Sequence, residues 1–171
     1  MLQKKHKATQ RGVQFVLENI TIRTADLNDV DTLVRFRFLY MTDVEGELSE
    51  KQTNALNAQL PEYFMAHIGK DFTAYFAEDG GVPVAVIFMV RLQKPASVHF
   101  LSGSTCYLMN VYTCDGYRRM GIASKILDRL ISDAKREGIT CIDLSATEMG
   151  KPMYLKKGFI PRGNTEMRME L

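Results

Sequence analysis

The chain has 171 residues, 46% of them apolar and 25% charged, with a formal net charge of +2. That balance suits one globular domain with a sizeable core and argues against a dedicated nucleic-acid binder, while no apolar run is long enough to span a bilayer. Three cysteines and three histidines, none in metal-ligand spacing, predict reduced thiols in a cytosolic protein and no metal centre.

Residues 1–18 form a basic arm with Lys4, Lys5, His6, Lys7 and Arg11, followed by Val13, Phe15, Val16 and Leu17. No apolar core follows the basic residues, so no signal peptide is read here. The arm is expected to be partly disordered, or else an edge strand or dimer contact, because Val13-Gln14-Phe15 alternates. Residues 19–171 make up the expected single domain. Its first strand is the alternating run 20–25, after which Asp26 caps a helix reaching about Met41, with Asp29 in the box position. Arg35 and Arg37 lie among aromatics in this helix; they are read as snorkelling to the surface, the alternative being that Arg37 faces an acceptor site. An acidic loop, 42–48, leads to a helix capped by Ser49 with Gln52, running to about Ile68 and either kinked or split at Pro61. Residues 72–77 and 82–90 read as a hairpin around Asp79-Gly80, 92–103 as a loop, and 105–113 as a central strand.

The most informative stretch follows. Asn110-Val111-Tyr112-Thr113 ends a strand, Asp115-Gly116 turns, and Arg118-Arg119-Met120-Gly121-Ile122-Ala123-Ser124 opens a helix ending at Gly138. Met120, Ile122, Ala123, Ile126, Leu127, Leu130, Ile131 and Ala134 mark its buried face. A small-residue turn into a helix leaves unpaired N–H groups at the positive pole of the dipole, with Arg118 and Arg119 beside it, so the expected ligand is a pyrophosphate. Residues 141–146 then read as a fifth strand, 145–150 as a polar turn, 151–157 as a short helix, and 159–161 and 166–171 as two closing strands.

Arg118-x-x-Gly121-x-Ala123 after a strand resembles the acyl-CoA signature of the GNAT N-acetyltransferase superfamily, Gln/Arg-x-x-Gly-x-Gly/Ala. Met153-Tyr154-Leu155-Lys156-Lys157-Gly158-Phe159 resembles its second signature, a helix-borne Tyr before Lys-Gly-Phe. The resemblance implies an α/β fold, a mixed, mostly antiparallel sheet of about six to seven strands flanked by about four helices, with a splayed strand pair as the acyl-CoA cleft. It implies acetyl-CoA as co-substrate, a small-molecule or peptide amine as acceptor, and a homodimer as the family default, while composition and charge argue against a metal, a nucleic-acid partner and a membrane partner. In the same light Asn110, Val111, Tyr112 and Thr113 hold the pantetheine, a backbone N–H near Val111 polarises the thioester carbonyl, and the N–H groups of Arg119, Met120, Gly121, Ile122, Ala123 and Ser124 bind pyrophosphate. Tyr154 is the implied general acid.

Two positions depart from the family pattern. Met109 stands where many relatives carry a glutamate, leaving the base open among Glu148, Asp115, a substrate that binds neutral, or a backbone carbonyl with water. Ser145 and Thr147 stand nearest to the asparagine that often contacts pantetheine. Cys114 has no histidine near it in sequence and reads as a plain thiol. A catalytically silent acyl-CoA-binding module is the alternative to the enzyme; a nucleotide-binding domain lacks its fuller glycine loop, and a nucleic-acid role for the basic arm would show as steep salt dependence.

Overall fold

Strand side chains alternate between two faces, so a strand covered on both sides supplies two cores at once. In the computed structural model, which describes residues 19–163 and 167–170, β2 (Phe72–Asp79) and β3 (Val82–Gln93) do this. Tyr75, Ala77, Ile87 and Met89 enter one core, while Phe72, Ala74, Phe76, Val86 and Phe88 enter the other. The second core is closed by α1 (Val30–Glu45) and α2 (Glu50–His67), through Leu33, Phe36, Leu60 and Phe64. The first is closed by α3 (Ile122–Arg136), through Ile122, Ile126, Leu127, Leu130 and Ala134, with Tyr154 of the short α4 (Lys151–Lys156).

Between these layers the sheet order is β1-β2-β3-β4-β5, with β1 (Ile20–Thr24), β4 (Ser104–Thr113) and β5 (Cys141–Leu144) completing five strands. The first three junctions are antiparallel, and β4 runs parallel to β5. A parallel pair needs a crossover, and α3 is that crossover.

The entry to α1 is built as its sequence predicts. Asp26 and Asp29 form a reciprocal capping box around one tight turn. Asp29 also receives Arg23 Nη1 at 2.7 Å, and Arg23 Nε donates to Glu78 at 2.7 Å, tying β1, β2 and α1 together. The Arg23 hydrogen bond holds the Asp29 carboxyl below its ordinary range. Asp29→Asn is therefore expected to lower stability at neutral pH by about 2 kcal/mol, the usual worth of a hydrogen bond to a charged group. The sign follows from the depressed pKa: the stabilisation is full above the unfolded carboxylate pKa and fades as pH falls through the folded one. Denaturant midpoints for the two proteins should thus converge in acid.

Several boundaries differ from the sequence expectation. α1 runs past Met41 to Glu45 and stops at Gly46, whose φ of +85° ends the helix while its N–H donates to the Thr42 carbonyl. The acidic stretch thus lies partly on α1. Pro61 sits inside an unbroken α2, held by Leu60 and Phe64 packed beneath it. The two closing strands are a correction. Residues 159–163 and 167–170 adopt no strand, so the sheet has five strands among the described residues rather than six or seven. Pro161 has no N–H to give a ladder, and Met167 and Met169 stand exposed without a partner strand. The basic arm lies outside the described residues. Among those described, no helix is long and apolar enough to cross a membrane.

Candidate active site

The parallel pairing of β4 and β5 starts at Thr105 opposite Cys141 and stops at Leu108 opposite Leu144. β5 ends there, but β4 continues to Thr113. Beyond Leu108 this edge of β4 has no neighbouring strand among the described residues, so its backbone is open to an added extended chain. The same segment is bulged on its other side. Met109 lies opposite Phe88 and Tyr112 opposite Val86, so Asn110 and Val111 share the space across from Ile87.

The bulge shifts the alternation by one residue. Met109 and Tyr112 pack toward α1 and α2, and Val111 toward α3. Asn110 takes up the change with φ +53°, a conformation asparagine tolerates better than most residues. Its side chain is buried; Nδ2 donates to the Phe36 carbonyl at 3.3 Å, and Oδ1 accepts from Arg37 Nη1 at 3.3 Å. The Asn110 side chain thus holds α1 against the bulge, leaving only its backbone for a ligand. Arg37 does not snorkel outward as the favoured reading had it: it reaches inward to Asn110, and burial lowers its pKa.

After Thr113 the chain makes a tight turn at Asp115–Tyr117, extends through Arg118, and enters α3 by way of positive φ at Arg119 (+63°) and Gly121 (+77°). The Lys125 N–H donates to the Gly121 carbonyl at 3.1 Å, so the N–H groups of Ile122, Ala123 and Ser124 precede the first helical bond. Gly121 supplies no side-chain cap, and a Cβ built on it would meet nothing within 4 Å. Backbone donors at the positive helix pole, with open space before them, fit an anion such as pyrophosphate. Tyr117 steadies the turn by donating its hydroxyl to Asp79 at 2.7 Å.

The two arginines of the motif differ. Arg118 was expected as charge beside the phosphate, but its guanidinium is committed elsewhere. Nε donates to the Thr113 carbonyl at 2.9 Å, Nη2 meets Asp43 of α1 at 3.1 Å, and the group lies 5.4 Å over the Tyr112 ring. It fastens the turn to α1. Arg119 forms no ion pair among the described residues and remains the available charge.

Tyr154 lies in the core that also holds Leu108 and Ile122, with Val111, Met120 and Leu144 packed against it. Its ring meets Phe159 edge-on at 5.7 Å, and Gly150 leaves room on another side, where a Cβ would stand 3.3 Å from the ring. The hydroxyl has no hydrogen-bond partner among the described residues, yet it is not sealed in as a buried unpaired atom. Burial, with a smaller contribution from Tyr40 of α1, pushes its pKa up to about 12. The phenol stays protonated at physiological pH. Ser145 follows β5 and meets the Tyr107 hydroxyl at 2.8 Å, spanning β4 and β5 where they part.

The remaining candidates are exposed or poorly activated. The Asp115 side chain is 89% exposed and paired with Arg118 at 3.3 Å; that of Glu148 is 93% exposed, 3.8 Å from Lys151. Neither is enclosed as a base beside the bulge. Burial raises the Cys114 thiol, which makes it a poor nucleophile. Among the described residues no group of three or more His, Cys, Asp or Glu could hold a metal ion.

An open, bulged strand edge thus runs into an uncapped helix N-terminus, with a protonated tyrosine in the adjoining core. The model of the acetyltransferase (GNAT) family matches residues 36–159. The chain belongs to the GNAT acetyltransferase family. GNAT members transfer acyl groups, and acyl transfer is the general chemistry of this chain. Among solved structures, a predicted acetyltransferase with acetyl-CoA from Clostridium acetobutylicum is 29% identical, with TM-score 0.75 over 89% of this chain and 95% of that one. A GCN5-related N-acetyltransferase from Ralstonia eutropha JMP134 is 23% identical, with TM-score 0.72 over 88% and 98%. The aminoglycoside acetyltransferase HMB0005 from an uncultured soil metagenomic sample is 14% identical, with TM-score 0.68 over 89% and 98%. The last two bear on the fold alone. No match is found among curated protein sequences.

Proposed function

We propose that this GNAT protein is an acetyl-CoA-dependent N-acetyltransferase acting on a primary amine by direct attack within a ternary complex. The observation that carries the reading is the continuity of β4 with α3: an unpaired, bulged edge leads directly to a helix N-terminus with free N–H groups. The relative of 29% identity from Clostridium acetobutylicum, a structure with acetyl-CoA, supports the same co-substrate here.

Acetyl-CoA supplies the acetyl group as a thioester. The β4 backbone from Asn110 to Thr113 would pair with the pantetheine arm as an added strand, with Ser145 on the facing side of the cleft. The N–H groups from Arg119 to Ser124 would receive the pyrophosphate, and a backbone N–H at the Val111 bulge would stabilise negative charge on the carbonyl oxygen. The amine nitrogen bonds to the acetyl carbon, the carbon–sulfur bond breaks, and sulfur departs with the bonding pair. Tyr154 gives that sulfur its proton, the surplus proton of the amine passes to solvent, and the tyrosinate takes a proton back from solvent before the next turnover. Met109 lies in the core and offers no carboxylate, so the acceptor enters as the neutral amine or loses its proton to water.

Thiol release measured with a panel of amines tests the reading. Release that requires an amine, with an equal yield of N-acetyl product, is the expected result. Tight acetyl-CoA binding with no transfer to any amine would favour the silent module, the reading that Met109 supports.

A further inference from the structure

Arginine carries five N–H donors and keeps its charge even where solvent is excluded, so a partly buried guanidinium needs an anion or several hydrogen bonds. Arg23, Arg91, Arg118, Arg129 and Arg136 each meet a carboxylate within 3.1 Å. Arg35 of α1 is exposed and solvated. Arg37 has neither solution. It is half-buried and donates one hydrogen bond, at 3.3 Å, to the neutral Asn110 amide oxygen. It lies 5.9 Å from the Tyr40 ring and pairs with no carboxylate among the described residues.

Its position gives this unused capacity a meaning. Asn110 immediately precedes Val111 at the bulge, so Arg37 is fastened one residue from the backbone assigned to the thioester carbonyl. Tyr40, beside Arg37, lies within electrostatic reach of Tyr154. Arg37, Tyr40 and Asn110 therefore stand together on the α1 side of the bulge.

We infer that the acceptor is a small amine that also bears a carboxylate, of the free amino-acid type, and that Arg37 binds the carboxylate while the amine faces the acetyl group. This rests on the acetyltransferase reading. A planar fork suits a carboxylate through two parallel hydrogen bonds, and a site built for that partner rejects analogues lacking it. Amides, esters and simple alkylamines would leave the guanidinium without its anion.

The test uses wild-type protein saturated with CoA and measures the binding of amino acids and their amides by calorimetry, with acetylation rates alongside. At least one amino acid is expected to bind about tenfold to a hundredfold more tightly than its own amide, the range for a charge-assisted hydrogen bond. Arg37→Gln should remove that preference by weakening the acid alone, and Arg37→Lys should restore part of it. CoA affinity serves as the folding check, and if the Gln variant fails it, the Lys variant carries the comparison. Equal binding of acids and amides, binding of none of the acids, or equal weakening of both in the variant would overturn the inference while leaving acetyl transfer intact. Absence of CoA binding by the wild type would overturn the acetyltransferase reading, and the inference with it.

Discussion

Gly121→Glu is expected to lower the affinity for acetyl-CoA by about thirtyfold or more, on electrostatic grounds. The residue sits at φ +77°, where a side chain costs about 1–2 kcal/mol of folding stability, a cost paid before any ligand arrives. A carboxylate at the α3 N-terminus also occupies the pole that would hold pyrophosphate, a favourable site for anions worth up to about 2 kcal/mol. Competing for that site removes the attraction and adds repulsion between like charges. Gly121→Ala separates the two effects, because it carries the backbone strain without the charge; it should lower stability and leave the affinity nearly unchanged. A Cβ there meets nothing within 4 Å, so crowding does not confuse the comparison. Calorimetric titration of the three proteins, each shown to be folded by circular dichroism, makes the measurement. Equal losses for Ala and Glu would mean that strain alone matters and that no anion binds at this turn.

Tyr154→Phe is expected to lower kcat by about a hundredfold or more, the usual contribution of a positioned general acid, with little change in the KM for acetyl-CoA. Thermal stability should barely move, because the hydroxyl has no hydrogen-bond partner among the described residues. A phenol at about 12 is a weaker acid than a free thiol near 8.5 in water. The burial that raises the phenol also raises the departing thiolate, however, which brings the two closer to balance. The pH sign follows. Wild-type kcat should not fall on the alkaline side until pH approaches about 12, and the rise caused by amine deprotonation should persist in the variant. A variant with unchanged kcat would reduce Tyr154 to a core aromatic.

The parts of the account that could be read from sequence are those in which backbone demands select residue types. Gly121 is needed where φ turns positive before a helix, the Asp26 and Ser49 boxes mark helix starts, and the two apolar runs on either side of Asp79-Gly80 mark a hairpin. The bulge at Asn110 and Val111 could not be read so directly. Its signal is one extra residue relative to β3, which appears only once the strands are paired, although an asparagine inside an apolar strand is a hint. The roles of Arg37 and Arg118 are hidden from the sequence for a related reason. Their partners, Asn110 and Asp43, lie 73 and 75 residues away in the chain, where no local pattern reaches. The alternating methionines 167 and 169 carry a strand pattern without a neighbouring edge to complete it, since β5 is only four residues long.

Every step proposed above depends on acetyl-CoA binding by the β4 edge and the α3 N-terminus together. Titrating acetyl-CoA into wild-type protein by calorimetry tests it most directly. The predicted result is saturable binding at one site per chain, lost in Gly121→Glu. A folded wild-type protein that takes up no acetyl-CoA would contradict the account.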